Sequence, residues 1–411
     1  MRVLIATHSD RSHFYSMIPL AWALRTAGHE VRVASQPALT DDITQAGLTA
    51  VPLGTDHTLH EQLRQMSKED WSGGFSHGDA AEPPATWEAQ GMLYRAFVEF
   101  YMKGVNNDSF LDGLIAFAGH FKPDLVIWEP FTFAGPVAAR VVGAAHARLL
   151  WSPDLFSGMR ETFLRLRDEQ PADQRVDPLA AWLGPVLARH GLEFTEDTAV
   201  GQWTIDPTPE SSRPPLGHRI VPVQYVPYNG PAVVPEWLHA PAAKPRVCLT
   251  GGLTLREQIG RDPFSVAQLE MFADLDIELV ATLKADADGA PPAIPANTRL
   301  VDYVPMHALL PTCAAIVHYG GGGTWSTAVR AGVPQLLIAR SWDVVYKAKH
   351  LKEYGAGLFV DSESQLRDAL VRLLAEPSFQ ESASRLRDEV LSDPTPNELV
   401  PILEKLTAEH R

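Results

Sequence analysis

The first stretch of the chain shows two different spacings of hydrophobic residues. Short apolar runs at Arg2–Ala6 and Glu30–Ala34 flank Ile18–Ala27, where apolar residues recur every three to four positions. Short runs are typical of buried strands, and the longer period is typical of an amphipathic helix. Gly28 follows the helical stretch, where a C-cap is expected. The pattern predicts a strand, a helix and a second strand, which is a βαβ unit.

The same order of elements returns later in the first half. Leu125–Trp128 is another buried-strand run, and Ala134–Val142 has an Ala/Gly-rich helical pattern. The segment Thr55–Asn107 has no clean period and is rich in Gly, His and Trp. Such composition predicts an insertion or lid beside the sheet rather than core. We therefore expect an N-terminal α/β domain that carries a long insertion.

A second α/β pattern follows a proline-rich stretch. Ten prolines lie between Pro207 and Pro245, a density that favours extended chain and predicts an interdomain linker. Strand patterns then alternate with helical patterns, which calls for a parallel sheet with right-handed crossovers. The predicted strands are Arg246–Thr250, Ile277–Leu283, Thr298–Val301 and Ala314–His318, and the predicted helices include Val266–Leu275 and Gln365–Leu374.

The length of 411 residues agrees with two domains of about 150–200 residues each. We predict an α/β fold of two Rossmann-like, doubly wound parallel-sheet domains that face each other across a cleft, with ligands at the carboxyl ends of the strands. The predicted boundaries are an N-terminal domain at 1–206, a linker at 207–245, a C-terminal domain at 246–390, and a helical tail at 391–411 that packs back on the N-terminal domain.

Charge and composition exclude several classes of protein. The net charge is −15, and no Lys/Arg-rich run offers a footprint for nucleic-acid phosphates. No apolar run reaches the ~18–20 residues that a membrane helix needs, and the chain opens on a strand pattern, so we expect a cytoplasmic protein. Cys248 and Cys313 each lie in an apolar segment, which predicts two buried free thiols rather than a disulfide or a metal site.

One glycine-rich turn carries the clearest chemical signal. The strand that ends at His318 continues into Tyr319 and the four glycines 320–323, and Thr324 opens a helical pattern. Backbone N–H groups in such a turn, together with the helix dipole, bind anions. The His318 ring and the Thr324 hydroxyl could add donors to a diphosphate. The alternative is a turn that serves tight packing alone.

Other nucleotide sites fit the sequence poorly. The first strand runs into His8–Ser12, which contains no glycine. In the later turn Ser326 stands where a dinucleotide site needs its third Gly or Ala, and no GxxxxGK[ST] motif occurs. An ordinary dehydrogenase or P-loop enzyme is therefore disfavoured.

Three side chains at strand ends are candidates for the chemistry. Asp343 follows the strand pattern Leu336–Ala339 and could accept hydrogen bonds from sugar hydroxyls, although an acid here also suits a helix N-cap. His13 follows the first strand and could take a proton near neutral pH, with Glu129 at the analogous strand end as its partner. A surface histidine and a helix-start acid are the alternative. His8 and His13 are also a weak metal signal, since no complementary cluster exists.

The segments His318–Thr324 and Gly332–Gln335, together with Asp343, resemble the donor-site signature of the two-domain, metal-independent, inverting glycosyltransferases of the GT-B fold. The likeness runs over nearly the whole chain and is especially close to antibiotic glycosyltransferases of the desosaminyltransferase type. The segments that carry it are Ser12–Trp22, Gly201–Pro207, Val226–Gly230, Tyr303–Pro311, His318–Thr324, Gly332–Gln335 and Asp343.

The resemblance implies roles for particular residues. His13 would be the general base, and Glu129 its acidic partner, although relatives often have Asp there. The donor would bind in the C-terminal domain without a cofactor or a metal. Val304 would lie beside the thymine or uracil ring of the nucleotide, and Asp343 would contact the sugar. The other implied donor-site residues are Thr250, Gly251, Gly252, His318, Gly322, Gly323, Thr324 and Trp342.

The resemblance also suggests substrates and partners. Many relatives have Gln after the aspartate, where this chain has Val344; valine cannot bond sugar hydroxyls, which favours a dTDP-deoxysugar donor. An apolar polyketide aglycone of macrolide or anthracycline type is the expected acceptor. A cytochrome-P450-like auxiliary protein is a further expected partner, and a homodimer is left open. An idle nucleotide-sugar binding protein and a GT-B nucleotide-sugar epimerase remain as alternatives.

Overall fold

A computed structural model describes residues 1–59, 61–62, 86–252, 262–283, 294–339 and 342–410. These residues form two fully parallel sheets, as the sequence predicts. The first sheet contains β1 Arg2–Ala6, β2 Glu30–Ser35, β3 Ala50–Pro52, β4 Leu125–Trp128, β5 Ala145–Leu149, β6 Trp203–Asp206 and β7 Ile220–Pro222. The second contains β8 Arg246–Thr250, β9 Glu278–Thr282, β10 Thr298–Val301, β11 Ala315–His318, β12 Gln335–Ile338 and β13 Gly357–Val360.

Helices cover both faces of each sheet. In chain order they are α1 Arg11–Thr26, α2 Thr40–Gln45, α3 Trp87–Ala96, α4 Lys103–Val105, α5 Asp108–Phe121, α6 Ala134–Val142, α7 Leu155–Asp168, α8 Pro178–Ala188, α9 Asp197–Val200, α10 Met306–Leu309, α11 Gly322–Ala331, α12 Trp342–Tyr354, α13 Leu366–Ala375, α14 Pro377–Ser392 and α15 Pro396–Glu409. A π-helical segment, Phe97–Met102, joins α3 to α4. None of the described helices is long and apolar enough to span a membrane.

Each sheet reverses its direction of winding once. The strand orders are β3-β2-β1-β4-β5-β6-β7 and β10-β9-β8-β11-β12-β13. The reversal therefore falls between β1 and β4 in the first sheet and between β8 and β11 in the second. In open parallel sheets, ligands bind in the crevice that such a reversal leaves at the carboxyl ends of the strands. The functional residues are therefore expected at these two crevices.

Helix α1 begins earlier than its apolar period indicates. Asp10 accepts hydrogen bonds from the backbone N–H groups of Ser12 and His13, which caps the helix from Arg11 onward. The sequence predicts this helix only from Ile18. His13 therefore lies in the first helical turn, not in a loop before the helix, and its side chain has the fixed direction of a helical residue.

Two predictions about the N-terminal half need correction. Residues 60 and 63–85 of the supposed lid lie outside the described residues, but the described helical stretch Trp87–Val105 contributes the fully buried Tyr94, Val98 and Met102 to the core, so this part is wrongly predicted to lie outside it. The proposed linker 207–245 contains β7, which pairs with β6 and so extends the first sheet beyond residue 206. Both errors arise because short strands and irregular helices carry little periodicity.

The C-terminal helix α15 belongs to the core of the N-terminal domain. Leu399, Leu403 and Leu406 pack in the same cluster as Phe14 and Met17 of α1. A capping box between Thr395 and Glu398 fixes the start of the helix. The chain thus crosses from the second domain back to the first just before α15.

Leu403→Ala is expected to destabilise the protein by about 2–4 kcal/mol, because the Leu403 side chain is fully buried and would leave a cavity. Urea unfolding followed by circular dichroism measures the loss. Ile402→Ala, in the same helix but 38% exposed, is the matched control and should cost much less. Equal losses in the two variants would contradict the packing of α15 on this domain.

Candidate active site at the two sheet crevices

The predicted base and its partner meet at the crevice of the first sheet. Glu129 directly follows β4, and His13 lies in α1, which follows β1. The Nδ1 atom of His13 lies 2.8 Å from Oε1 of Glu129. Glu129 is fully buried, and His13 is 6% exposed. The sequence alternative of a surface histidine and a helix-start acid is therefore wrong.

Glu129 accepts hydrogen bonds from five donors. Oε1 accepts from His13 Nδ1 and from the indole Nε1 of Trp151, at 2.8 and 3.0 Å. Oε2 accepts from Nδ1 of His8 at 3.1 Å, from the Phe131 backbone N–H at 3.0 Å and from the Thr132 hydroxyl at 2.9 Å. Burial alone raises the pKa of Glu129, but the charges and hydrogen bonds of His8 and His13 outweigh it, so the pKa is lowered. The carboxylate is therefore ionised and accepts from both rings.

The same contact defines the state of the His13 ring. An ionised carboxylate can only accept, so Nδ1 of His13 carries the hydrogen, and Nε2 is left as the nitrogen that can take a proton. Burial lowers the pKa of His13, but the charges of Asp10 and Glu129 raise it by more, with a smaller contribution from Asp343. The net pKa lies above 6.5. His13 is thus a strengthened base.

His8, Asp10 and His13 also bring potential metal-ligand atoms within 4.8 Å of one another. Each of these side chains has another role in the described structure. Both histidines donate from Nδ1 to Glu129, and Asp10 caps α1. The metal-independent chemistry predicted from the sequence stays a prediction.

The glycine-rich turn lies at the crevice of the second sheet. Gly320 has a φ of +77°, and a Cβ built there would lie 2.4 Å from Cγ1 of Val344, so no other residue fits this position. Gly321 is the N-cap of α11, which begins at Gly322. Among the described residues no side chain caps this helix start, and such a helix N-terminus can bind an anion through its first backbone N–H groups and its dipole.

His318 is placed differently from its predicted role. Its Nε2 lies 2.9 Å from Oε1 of Gln335, and its Nδ1 accepts the Gly320 backbone N–H at 3.0 Å. Burial lowers the pKa of His318 to about 3, so the ring is neutral. A diphosphate oxygen could be bound by this ring only if the bond to Gln335 were exchanged. In the described arrangement His318 shapes the turn.

The opposite wall of this crevice is the end of β8. The Thr250 hydroxyl accepts from the Gly252 N–H and from the Thr282 hydroxyl. Gly252 has a φ of +81°, and a Cβ built there would lie 4.0 Å from Oγ1 of Thr324, so the two face each other. At Gly251 a Cβ would clash with Pro263. The predicted donor residues of β8 and α11 are therefore brought together.

Val304 and Val344 are buried rather than lining an open site. Val304 is 2% exposed in a core cluster with Cys248 and Leu309, so its side chain offers no surface to a base. Val344 is 6% exposed and packs against Gly320. Val344 thus supports the turn behind Gly320, and its apolar side chain offers no hydrogen bond to a sugar hydroxyl, in agreement with the deoxysugar donor predicted from the sequence.

Asp343 lies between the domains, in an ion pair with Lys347 that was not predicted from the sequence. Its Oδ2 is 2.6 Å from Nζ of Lys347, one helical turn later, and the Lys347 side chain is fully buried. The Ser152 hydroxyl of the N-terminal domain lies 3.4 Å from both groups. Trp342 begins α12, but its side chain lies outside the described residues.

Three neighbours of the site have roles that the sequence did not predict: His8, considered there only as a weak metal signal, and Trp151 and Lys347. His8 stands two residues beyond β1, and Lys347 stands four residues after Asp343; both spacings are visible in the sequence. Trp151 had a weaker signal, because β5 was not predicted and its strand end was therefore not located.

Two parallel-sheet domains with a histidine–acid pair at one crevice and a glycine-rich anion site at the other have the architecture of a GT-B glycosyltransferase. Solved structures agree. The glycosyltransferase VinC in complex with DTDP superposes with a TM-score of 0.87 at 40% identity, covering 100% of both chains.

The chain belongs to the erythromycin biosynthesis protein CIII-like family, whose N-terminal domain matches residues 22–252 and whose C-terminal domain matches residues 266–406. It is 50% identical over 418 residues to the 10-deoxymethynolide desosaminyltransferase of Streptomyces venezuelae, covering 100% of this chain and 98% of that protein. It is 46% identical over 426 residues to the TDP-daunosamine transferase DnrS of Streptomyces peucetius, covering 100% and 98%. The chain is a glycosyltransferase, and the idle-binder and epimerase alternatives are not supported.

Glu129→Gln is expected to lower the pKa of His13 by about one unit or more, because it removes a charge that stabilises the imidazolium while burial of the ring remains. The C2–H resonance of His13, followed by NMR against pH and assigned with a His13→Gln variant, measures the shift. Glu404→Gln is the control, since Glu404 pairs with His29 instead. An unchanged or raised His13 pKa in Glu129→Gln would refute the role of this charge.

Proposed function

We propose that the enzyme transfers a deoxysugar from a dTDP-sugar to a hydroxyl of a polyketide aglycone, with inversion at the anomeric carbon and without a metal. The observation that carries the proposal is the bond from His13 Nδ1 to Glu129 at 2.8 Å, which leaves Nε2 as the proton acceptor. The relatives support the substrate classes, since one is a 10-deoxymethynolide desosaminyltransferase and another is a TDP-daunosamine transferase. The bound DTDP of VinC supports the nucleotide.

The reaction is a single displacement. Nε2 of His13 takes the proton of the acceptor hydroxyl while the hydroxyl oxygen forms a bond to C1 of the sugar. The bond between C1 and the diphosphate oxygen breaks on the opposite side, and dTDP leaves with the electron pair. Glu129 stabilises the imidazolium that forms, because its carboxylate is already ionised and held by five donors.

The leaving group needs stabilisation of its developing charge. We assign this role to the backbone N–H groups at the start of α11, Gly322 and Gly323, and to the Thr324 hydroxyl, with the helix dipole behind them. Thr250, Gly251 and Gly252 form the opposite wall. Asp343 would accept from a sugar hydroxyl with the oxygen that Lys347 does not occupy.

Several sequence predictions stay predictions. An amino-deoxysugar as donor, a cytochrome-P450-like auxiliary protein, a homodimer and a cytoplasmic location rest on resemblance and composition.

His13→Ala is expected to lower kcat about 100-fold or more, because the attacking hydroxyl loses its proton acceptor. Binding of dTDP, measured by calorimetry, should remain within about threefold, since the proposed diphosphate site lies on the other domain. His190→Ala, at an exposed histidine beyond α8, is the control and should leave kcat unchanged. Near-normal turnover by His13→Ala would show that another group is the base.

Incubation with panels of dTDP-deoxysugars and polyketide aglycones, read by mass spectrometry, is expected to give an aglycone enlarged by one deoxysugar. The product should also form in EDTA, because the charge of the diphosphate is met by protein groups. Donor converted without any glycosylated product would contradict the transferase proposal. Activity lost in EDTA and restored by a divalent ion would contradict only its metal-free part.

A further inference from the structure

Trp151 lies between the base and the donor turn. It follows β5 in the N-terminal domain and donates its indole N–H to Oε1 of Glu129 at 3.0 Å. Its ring lies against the His13 ring, with centroids 4.3 Å apart and an interplanar angle of 34°. A Cβ built on Gly322 would lie 2.9 Å from the Trp151 carbonyl oxygen and 3.2 Å from Cε3 of its ring. The Trp151 side chain thus contacts His13 and Glu129 and lies next to the first residue of α11.

The next residue repeats this link between the domains. The Ser152 hydroxyl lies 3.4 Å from Oδ2 of Asp343 and 3.4 Å from Nζ of Lys347. Two consecutive residues therefore connect the N-terminal domain to the glycine turn and to the acid proposed to meet the sugar. A movement of the donor turn toward Trp151 would press on this pair, because there is no room for even one methyl group between Gly322 and Trp151.

We propose that Trp151 is a positioning residue through which the donor turn controls the catalytic base: contact with Gly322 holds the indole against Glu129, and this bond sets how Glu129 binds His13. The proposal rests on the proposed role of His13 as the base. It differs from simple packing because Trp151 and His13 share one oxygen of the same carboxylate. A change in one bond to Oε1 therefore changes the other.

The direction of the effect follows from the charges around His13. Asp10, Glu129 and Asp343 all favour its charged form. His8 binds the other oxygen of Glu129, with its ring 4.8 Å from that of His13, and Lys347 pairs with Asp343. The hydrogen bond from the Trp151 indole N–H stabilises the negative charge on Oε1 of Glu129 and so weakens the interaction of this oxygen with His13. Without the indole N–H, Glu129 interacts more strongly with the imidazolium, and the pKa of His13 is higher.

Trp151→Phe keeps an aromatic ring over His13 and against Gly322 but removes the N–H donor. We expect kcat to fall about five- to tenfold, while the KM for the donor changes less than about twofold. We also expect a change in the acid limb of the pH dependence of kcat, which is the fall in kcat as His13 becomes protonated. This limb should move to higher pH by about 0.5 unit or more. Trp22→Phe is the matched control: Trp22 lies in α1, is 40% exposed and donates its indole N–H to the Ala46 carbonyl. It should leave the acid limb unmoved.

A second pair of variants approaches the same contact from the donor side. Gly322→Ala forces its methyl group against Trp151, so the acid limb should move in the same direction as in Trp151→Phe. Gly321→Ala adds the same methyl group one residue earlier, where it meets nothing within 4 Å. Whatever Gly321→Ala does to the donor KM, its acid limb should remain at the wild-type position. This pair also decides the question if Trp151→Phe fails to fold.

The two proposals fail in different ways. If His13→Ala remains active, the base assignment is wrong, and the proposed coupling falls with it. A different outcome is that His13→Ala is inactive, while folded Trp151→Phe and Gly322→Ala both have the acid limb of the wild type. In that case the assignment of His13 as the base is retained, and the coupling is refuted. A loss of kcat without a shifted acid limb likewise refutes it, because packing alone would give that result.

Discussion

A carboxylate without contact to water must be surrounded by donors, and the active site of this enzyme is built around that requirement at Glu129. The donors come from the end of β1, the first turn of α1, the turn after β4 and the turn after β5. These four segments meet because β1, β4 and β5 are adjacent parallel strands whose carboxyl ends share one edge. The charge that results fixes the hydrogen on Nδ1 of His13, and together the charges of Asp10 and Glu129 raise the pKa of this ring despite its burial.

The second domain has the same kind of sheet topology, but the residues at its crevice have a different chemical character. Its crevice between β8 and β11 exposes backbone N–H groups at a glycine turn, and the neighbouring His318 is held neutral by burial. One domain thus concentrates negative charge to strengthen a base, and the other presents a neutral, donor-rich surface to an anion. Trp151 and Ser152 lie where the two surfaces meet, which is where a reaction that joins an acceptor to a nucleotide sugar must take place.

Much of this arrangement could be predicted from the sequence. Short apolar runs identified β1, β2, β4, β8, β9, β10 and β11. Glu129, Gly252 and the glycine turn follow β4, β8 and β11 directly, and His13 lies in the helix after β1. The direction in which a side chain points was harder to predict, because the period of apolar residues and the spacing of motifs do not determine it. Val304 and Val344 stand beside the site in sequence, yet both are buried. Contacts between distant segments, such as Ser152 with Lys347, depend on how the domains face each other, and no local pattern encodes that.

The most direct measurement is a structure of the enzyme with dTDP and an acceptor aglycone bound together. The acceptor hydroxyl should lie about 2.6–3.2 Å from Nε2 of His13, with the diphosphate against the N-terminus of α11 and the Glu129 bond intact. A hydroxyl directed to another base, or a diphosphate bound away from the glycine turn, would contradict the assignment of the two crevices.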